Sequence, residues 1–185
     1  DYQTSYADTG DSVAAPTAGL HLSPDILERI QERGVGRADV RLDVNAGTFR
    51  PVLVDRLCDH QMHAERAIVT ADDARKINTA RACGGRCVAV GTTSMRTLES
   101  AATAGGVEPF DEETSIFIRP GYQFLACDGL LTNFHLPRST LFVLVSAFMG
   151  RDLMRRAYQH AISQRYRFFS YGDSSVLIPR ARNIA

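Results

Sequence analysis

The chain has no net charge. Lys plus Arg and Asp plus Glu stand at 21 each in 185 residues. No chain-wide basic field marks it for nucleic acid or for an acidic membrane surface, so any RNA site must be a local patch. A long apolar run is also missing. The longest, residues 141–149, is too short to span a bilayer and predicts a buried helix. No secretory leader is visible. The four cysteines, Cys58, Cys83, Cys87 and Cys127, lack metal-knuckle spacing. Reduced thiols in a cytoplasmic protein are therefore expected. The absence of a Gly-x-Ser-x-Gly elbow argues against a serine hydrolase. Repeats, low-complexity tracts and linkers are absent too. With 44% hydrophobic residues, residues 1–185 are expected to form one domain with a substantial core.

What is present alternates between two periods. Ser23-Pro24-Asp25 predicts a helix start: Ser caps, Pro suits the first helical position, and Asp favours the positive end. Residues 38–44 alternate Val40, Leu42 and Val44 with Asp39, Arg41 and Asp43, which predicts a half-buried strand. Helices are expected over 72–82, 94–104, 139–149 and 152–164, and strands over 87–90, 115–118, 130–134 and 176–178. Strands alternating with helices across short connections predict an α/β fold, a mainly parallel sheet with flanking helices.

Residues 12–21 carry almost no charge yet hold Pro16, Thr17, Gly19 and His21. Pro16 argues against a buried strand. Small residues ending in a His suit a close approach of backbone to a ligand. The same composition also suits a buried connector. Gly91-Thr92-Thr93-Ser94 lies between a predicted strand and a predicted helix. Free amides and the helix dipole favour an anion there, with Arg96 placed to grip a carboxylate. The alternative is that Thr93 or Ser94 merely caps the helix. Asn133-Phe134-His135-Leu136-Pro137 also follows a strand, so Asn133 and His135 suit reading a base or ribose. A buried structural His is the plain alternative. His60, His63 and Glu65 do not have the spacing of a zinc helix, and no metal is expected. His63 and Glu65 are instead expected to form a polar site with Asn45-Ala46-Gly47-Thr48, closed by the turn Tyr171-Gly172-Asp173. Arg151, Arg155, Arg156, Arg165 and Arg167 could meet RNA phosphates or simply form a solvated helix face.

Six stretches carry a family resemblance in one order: residues 12–22, 45–52, 60–65, 91–100, 132–140 and 166–173. They resemble the S-adenosylmethionine:tRNA ribosyltransferase-isomerases of queuosine biosynthesis, from Tyr2 to about Ile178. The resemblance implies transfer and isomerisation of the ribosyl part of S-adenosylmethionine onto 7-aminomethyl-7-deazaguanine at the tRNA wobble position. Epoxyqueuosine-tRNA forms, and adenine and methionine are released. S-adenosylmethionine is then a co-substrate, no metal is used, and the protein acts as a monomer in the cytoplasm. The sulfonium acidifies the adjacent 5′ hydrogens, so a modest base suffices. His21, His63, Glu65 and His135 are the candidate acid–base groups. Pro16, Thr17, Gly19, Gly47, Thr48, Gly91, Thr92, Thr93, Ser94, Arg96, Asn133, Tyr171 and Asp173 are the candidate substrate contacts. In the family a leading segment and an inserted β-barrel precede this region, so the chain is expected to be the larger α/β domain without the barrel. Two alternatives remain: a partner-dependent or inactive domain binding S-adenosylmethionine or RNA, and a relative using another acceptor amine. The chain departs from the family pattern at Asp43 (usually His), Asn45 (usually Gly), Ala64 (usually Ser) and Arg119 (usually Tyr).

Overall fold

A computed structural model describes residues 3–7, 15–44, 54 and 56–179. Helix α1 is Pro24–Glu32, and it starts as its sequence dictates. The Ser23 hydroxyl accepts from the Ile26 amide at 3.4 Å, and Pro24 occupies the first turn. Strand β1 is Val40–Leu42, β2 is Glu65–Val69, and α2 is Ala71–Ala82, capped by Thr70. Strand β3 (Val88–Val90) leads into α3 (Thr92–Ser100). The short strands β4 (Ala102–Thr103) and β5 (Gly106–Val107) form a hairpin, and β6 is Phe110–Thr114. Strand β7 (Gly129–Asn133), helices α4 (Thr140–Met149) and α5 (Arg151–Ser163), and strand β8 (Ser174–Leu177) complete the described chain.

The α/β class holds, but the sheet is not mainly parallel. Two three-stranded sheets form, β1-β2-β6 and β3-β7-β8. Among the described residues only β3 and β7 pair in parallel; β1–β2, β2–β6, β7–β8 and β4–β5 are all antiparallel. The reason lies in β2 and β6. Antiparallel sheets tolerate one wet face, so their strands admit charges at alternate positions. Glu65-Arg66-Ala67 carries charge at two neighbouring positions, and Asp111-Glu112-Glu113 is exposed throughout, so neither shows the apolar signal of a buried strand.

Several boundaries also move. Helix α3 begins two residues before the expected start and ends at Ser100, because residues 102–107 turn back as the β4–β5 hairpin. The strand expected over 115–118 is replaced by β6, which ends at Thr114. There the Thr114 hydroxyl meets Ser100 Oγ at 2.7 Å and accepts from the Ile116 amide at 3.2 Å, turning the chain.

Helix α3 positions the site. It packs against β1, β2, β3 and β7, and Met95, Arg96, Thr97, Leu98 and Glu99 are all buried. Met95 and Leu98 join Val69, Ala89, Leu130, Leu144, Val145 and Phe148 in one core. A helix buried on nearly every side must find internal partners for its polar groups. Arg96 and Glu99 meet that demand in different ways.

Candidate active site

The entry to α3 lies at the carboxyl end of β3. Gly91 has φ 91°, a conformation that favours glycine, and it holds the N-cap position. Its amide donates to the Leu131 carbonyl at 2.8 Å, fixing the turn to β7. No side chain caps the helix. Ser94 instead donates to the Val90 carbonyl at 2.9 Å, and Thr97 to the Thr93 carbonyl at 3.1 Å. Capping by Thr93 or Ser94, the plain alternative, is not what the helix uses. The first amides of a helix have no partner within it, and the positive end of its dipole lies there.

Asn133, at the carboxyl end of β7, joins two distant segments. The Thr17 hydroxyl donates to Asn133 Oδ1 at 3.2 Å. Asn133 Nδ2 donates to the Gly172 carbonyl at 3.4 Å and lies 3.4 Å from His21 Nε2. Thr17 and His21 belong to one 3₁₀ turn, Thr17–His21, preceded by the half-buried Pro16. That turn buries Ala18 and Gly19, and a Cβ on Gly19 would overlap the Tyr6 hydroxyl. The smallness of Gly19 therefore serves packing against Tyr6. His21 is exposed at the end of the turn. Asp173 follows Gly172 and accepts from the Arg167 amide at 2.8 Å and the Arg167 guanidinium at 3.0 Å. These bonds hold its carboxyl below the usual range. Tyr171 lies in the 3₁₀ turn Phe169–Tyr171, in which Phe169 has φ 67°.

His135 sits two residues beyond Asn133 and is buried. Its Nε2 lies 2.9 Å from the Thr132 hydroxyl, and its backbone amide donates to Tyr158 Oη at 2.9 Å. Burial pushes the imidazole down to about 4 and the Tyr158 hydroxyl up to about 12. At neutral pH the ring is therefore uncharged and fixed by Thr132.

Glu65 and Arg96 are brought together, but not with His63. Arg96 Nη1 donates to Glu65 Oε2 at 2.5 Å, deep between α3 and β2. The guanidinium expected to grip a ligand carboxylate is thus already paired. Its Nε and Nη2 are buried without a hydrogen-bond partner. His63 is exposed on the segment leading into β2. Gly47 and Thr48, with Asn45 and Ala46, lie outside the described residues. Asp43 pairs with Arg41 at 2.6 Å. Among the described residues no cluster of three His, Cys, Asp or Glu side chains could hold a metal, and no helix is long and apolar enough to cross a membrane.

Three residues that sequence reasoning passed over shape this region: Thr132, Tyr158 and Glu99. The Glu99 carboxylate accepts from the amides of Leu125, Ala126 and Cys127 at 2.8–3.1 Å. It also accepts from the Tyr122 hydroxyl at 3.3 Å. It thereby pins the loop that feeds β7. Glu99 stands three residues after Arg96, a spacing that reads as an ordinary surface pair. Burial of α3 sends each to a separate partner instead.

A family model described as "Queuosine biosynthesis protein" matches residues 1–177. The chain belongs to this family. S-adenosylmethionine:tRNA ribosyltransferase-isomerase of Rhodospirillum rubrum is 63% identical over 96% of this chain and 52% of its own length. The enzyme of the same name from Phenylobacterium zucineum is 60% identical over 96% of this chain and 50% of its own length. The chain therefore spans about half the length of the curated relatives it matches. A crystal structure of S-adenosylmethionine tRNA ribosyltransferase from Thermotoga maritima aligns with TM-score 0.73 and 40% identity. It covers 87% of this chain and 51% of that one. The residues of this chain that the family model matches include both the uncapped α3 entry and the Asn133 hub.

Proposed function

We propose that this chain forms one α/β domain holding the donor site of a queuosine-pathway ribosyltransferase-isomerase. The observation that carries this is the meeting of an uncapped helix entry, Gly91 to Ser94, with the Asn133 hub at the carboxyl ends of two parallel strands. Ligands in α/β sheets bind at that edge. The α3 amides suit the methionine carboxylate of S-adenosylmethionine. Asn133, held by Thr17 and Gly172, has an amide suited to the ribosyl or adenine part. His21, exposed beside Asn133, is the titratable group placed to move a proton at the sugar. His135, neutral and buried, keeps β7 and its Asn133 in place.

The reaction then follows from the donor. The sulfonium acidifies the adjacent 5′ carbon, a base removes a proton, and adenine leaves. The amine of 7-aminomethyl-7-deazaguanine, at the wobble position of tRNA, attacks the unsaturated sugar. Methionine is released as the epoxide closes. The protein works in the cytoplasm as a monomer and needs no metal.

Calorimetric titration with S-adenosylmethionine tests the site. The chain binds the donor, and Asn133→Ala weakens binding about tenfold, as expected for loss of a buried polar contact. Undiminished affinity in that variant, or no binding by the parent chain, overturns the assignment. In the full-length enzyme, His21→Ala lowers adenine release by about a hundredfold, a typical contribution of a positioned acid or base.

A further inference from the structure

The proposed site accounts for Asn133, but not for the aromatic surface beside it. Phe134 follows Asn133, and its ring meets Tyr158 and Tyr166 edge-on at 5.2 and 5.9 Å. Outward from Phe134, at the end of α5, Ile162 is 75% exposed and Tyr166, Phe168 and Phe169 are each 45–46% exposed. The Phe168 and Phe169 rings are near parallel, at 24° with centroids 6.4 Å apart. Phe168, Ile162, Tyr166, Ala161 and Arg167 line an apolar hollow together with Phe134 and Tyr158. Soluble chains rarely leave so many large rings in one place without a partner.

Charge says what kind of partner. Residues 151–173 hold five arginines (Arg151, Arg155, Arg156, Arg165 and Arg167) against Asp152 and Asp173, in a chain whose net charge is zero. All five are exposed. Arg155, Arg156 and Arg165 make no ion pair among the described residues. Arginine stacks on flat rings and clamps phosphates, which lysine does less well. A second copy of this chain would bring the same positive surface against itself. A plain solvated helix face has no use for the rings.

We propose that Ile162, Tyr166, Phe168 and Phe169 form a stacking ledge for unpaired RNA bases, with Arg155, Arg156 and Arg165 holding the backbone phosphates. Bases splayed from a loop stack on aromatic side chains, and arginines track the strand. The ledge would hold nucleotides flanking the reacting base while that base reaches the Asn133 hub. This deepens the proposed function, since it rests on the acceptor being an RNA loop.

Fluorescence anisotropy with a labelled RNA hairpin, without donor, tests the ledge. The chain binds the hairpin more tightly than a blunt RNA duplex of equal length. Phe168→Ala with Phe169→Ala weakens hairpin binding about tenfold or more, the effect expected when stacked bases lose their platforms. Ile162→Ser, a fully surface change, weakens it less but in the same direction. Arg155→Gln with Arg156→Gln and Arg165→Gln flattens the dependence of affinity on salt. Thermal unfolding confirms that each variant folds. Variants that bind RNA as the parent does, or a parent that binds no RNA, overturn the proposal. So does self-association in sedimentation that the same substitutions abolish. Donor binding is measured without RNA, so failure of the ledge and failure of the donor site are separate results.

Discussion

Glu65 and Arg66 are neighbours on β2, and each makes a close ion pair on its own face of the sheet. Glu65 meets Arg96 of α3 at 2.5 Å, with side chains 0% and 5% exposed. Arg66 meets Asp111 of β6 at 2.7 Å, with side chains 57% and 54% exposed. The side-chain alternation of a strand puts the two pairs on opposite faces. Water surrounds the outer pair and screens it, so it adds little. Around the inner pair the low dielectric strengthens the attraction, but both charges have lost their hydration. The inner pair is therefore costly to break and specifies how α3 lies on β2. That placement carries the α3 entry to the carboxyl end of β7.

Breaking the inner pair gives the largest expected effect. Glu65→Ala leaves the Arg96 charge buried without this carboxylate and costs about 3–5 kcal/mol, the usual penalty for half of a buried pair. Arg96→Met takes the guanidinium away from the buried Glu65 carboxylate and is expected to destabilise as well. Combining Arg96→Met with Glu65→Leu removes both charges and recovers much of the loss. Urea unfolding of the three variants measures this. A double variant no more stable than either single one would show that the pair is not what holds α3.

His135 gives the next effect, and it depends on pH. Burial lowers its folded value to about 4, below the usual 6.5. Between those values the unfolded chain binds the proton and the folded chain does not. Stability from this group is complete above about pH 6.5 and is lost as pH falls toward 4, in total about 3 kcal/mol. His135→Gln should flatten the acid limb of the stability profile over that window. A profile identical to that of the parent would show that burial does not lower the titration of the folded ring.

Gly172 connects the hub to the ledge. A Cβ there would lie 2.5 Å from the Arg167 carbonyl oxygen and 2.6 Å from the Phe168 carbonyl carbon, both backbone atoms. Gly172→Ala must move the turn that supplies a carbonyl to Asn133, at a cost of about 2 kcal/mol. Donor affinity and melting temperature should fall together. If only the melting temperature falls, the Asn133 hub does not depend on this turn.

Several parts of this arrangement were legible in the sequence. Ser23 and Pro24 are local signals, and α1 starts where they place it. The Gly91–Ser94 turn follows a short apolar strand, so its position at a strand end was also readable. The partners of that end were not. Thr17, His21, Asn133 and Gly172 meet across more than a hundred residues, and no period or spacing encodes that meeting. The direction of β2 against β6 was hidden for a similar reason. The consecutive charges Glu65-Arg66 and Asp111-Glu112-Glu113 erase the apolar pattern while leaving antiparallel pairing intact. Glu99 was hidden by its type, because a carboxylate on a helix reads as surface until the amides that pin it are found.

The smallest effect belongs to the outer pair, and it sharpens the comparison. The Arg66 hydrogen bond holds the Asp111 carboxyl below its ordinary value. The sign follows directly: whatever the pair contributes is present at neutral pH and is lost as pH falls through that lowered value. Its size is limited because water reaches both groups and competes for every contact. Asp111→Asn keeps the shape and removes the charge. Its urea midpoint should match the parent's within error, and added salt should only narrow any difference between them, since screening removes what little attraction the parent has. Donor binding should also be unchanged. Should Asp111→Asn destabilise the chain as much as Glu65→Ala does, burial could not be what separates the two pairs. Sheet register would then have to explain both, because each pair also ties β2 to a neighbouring element.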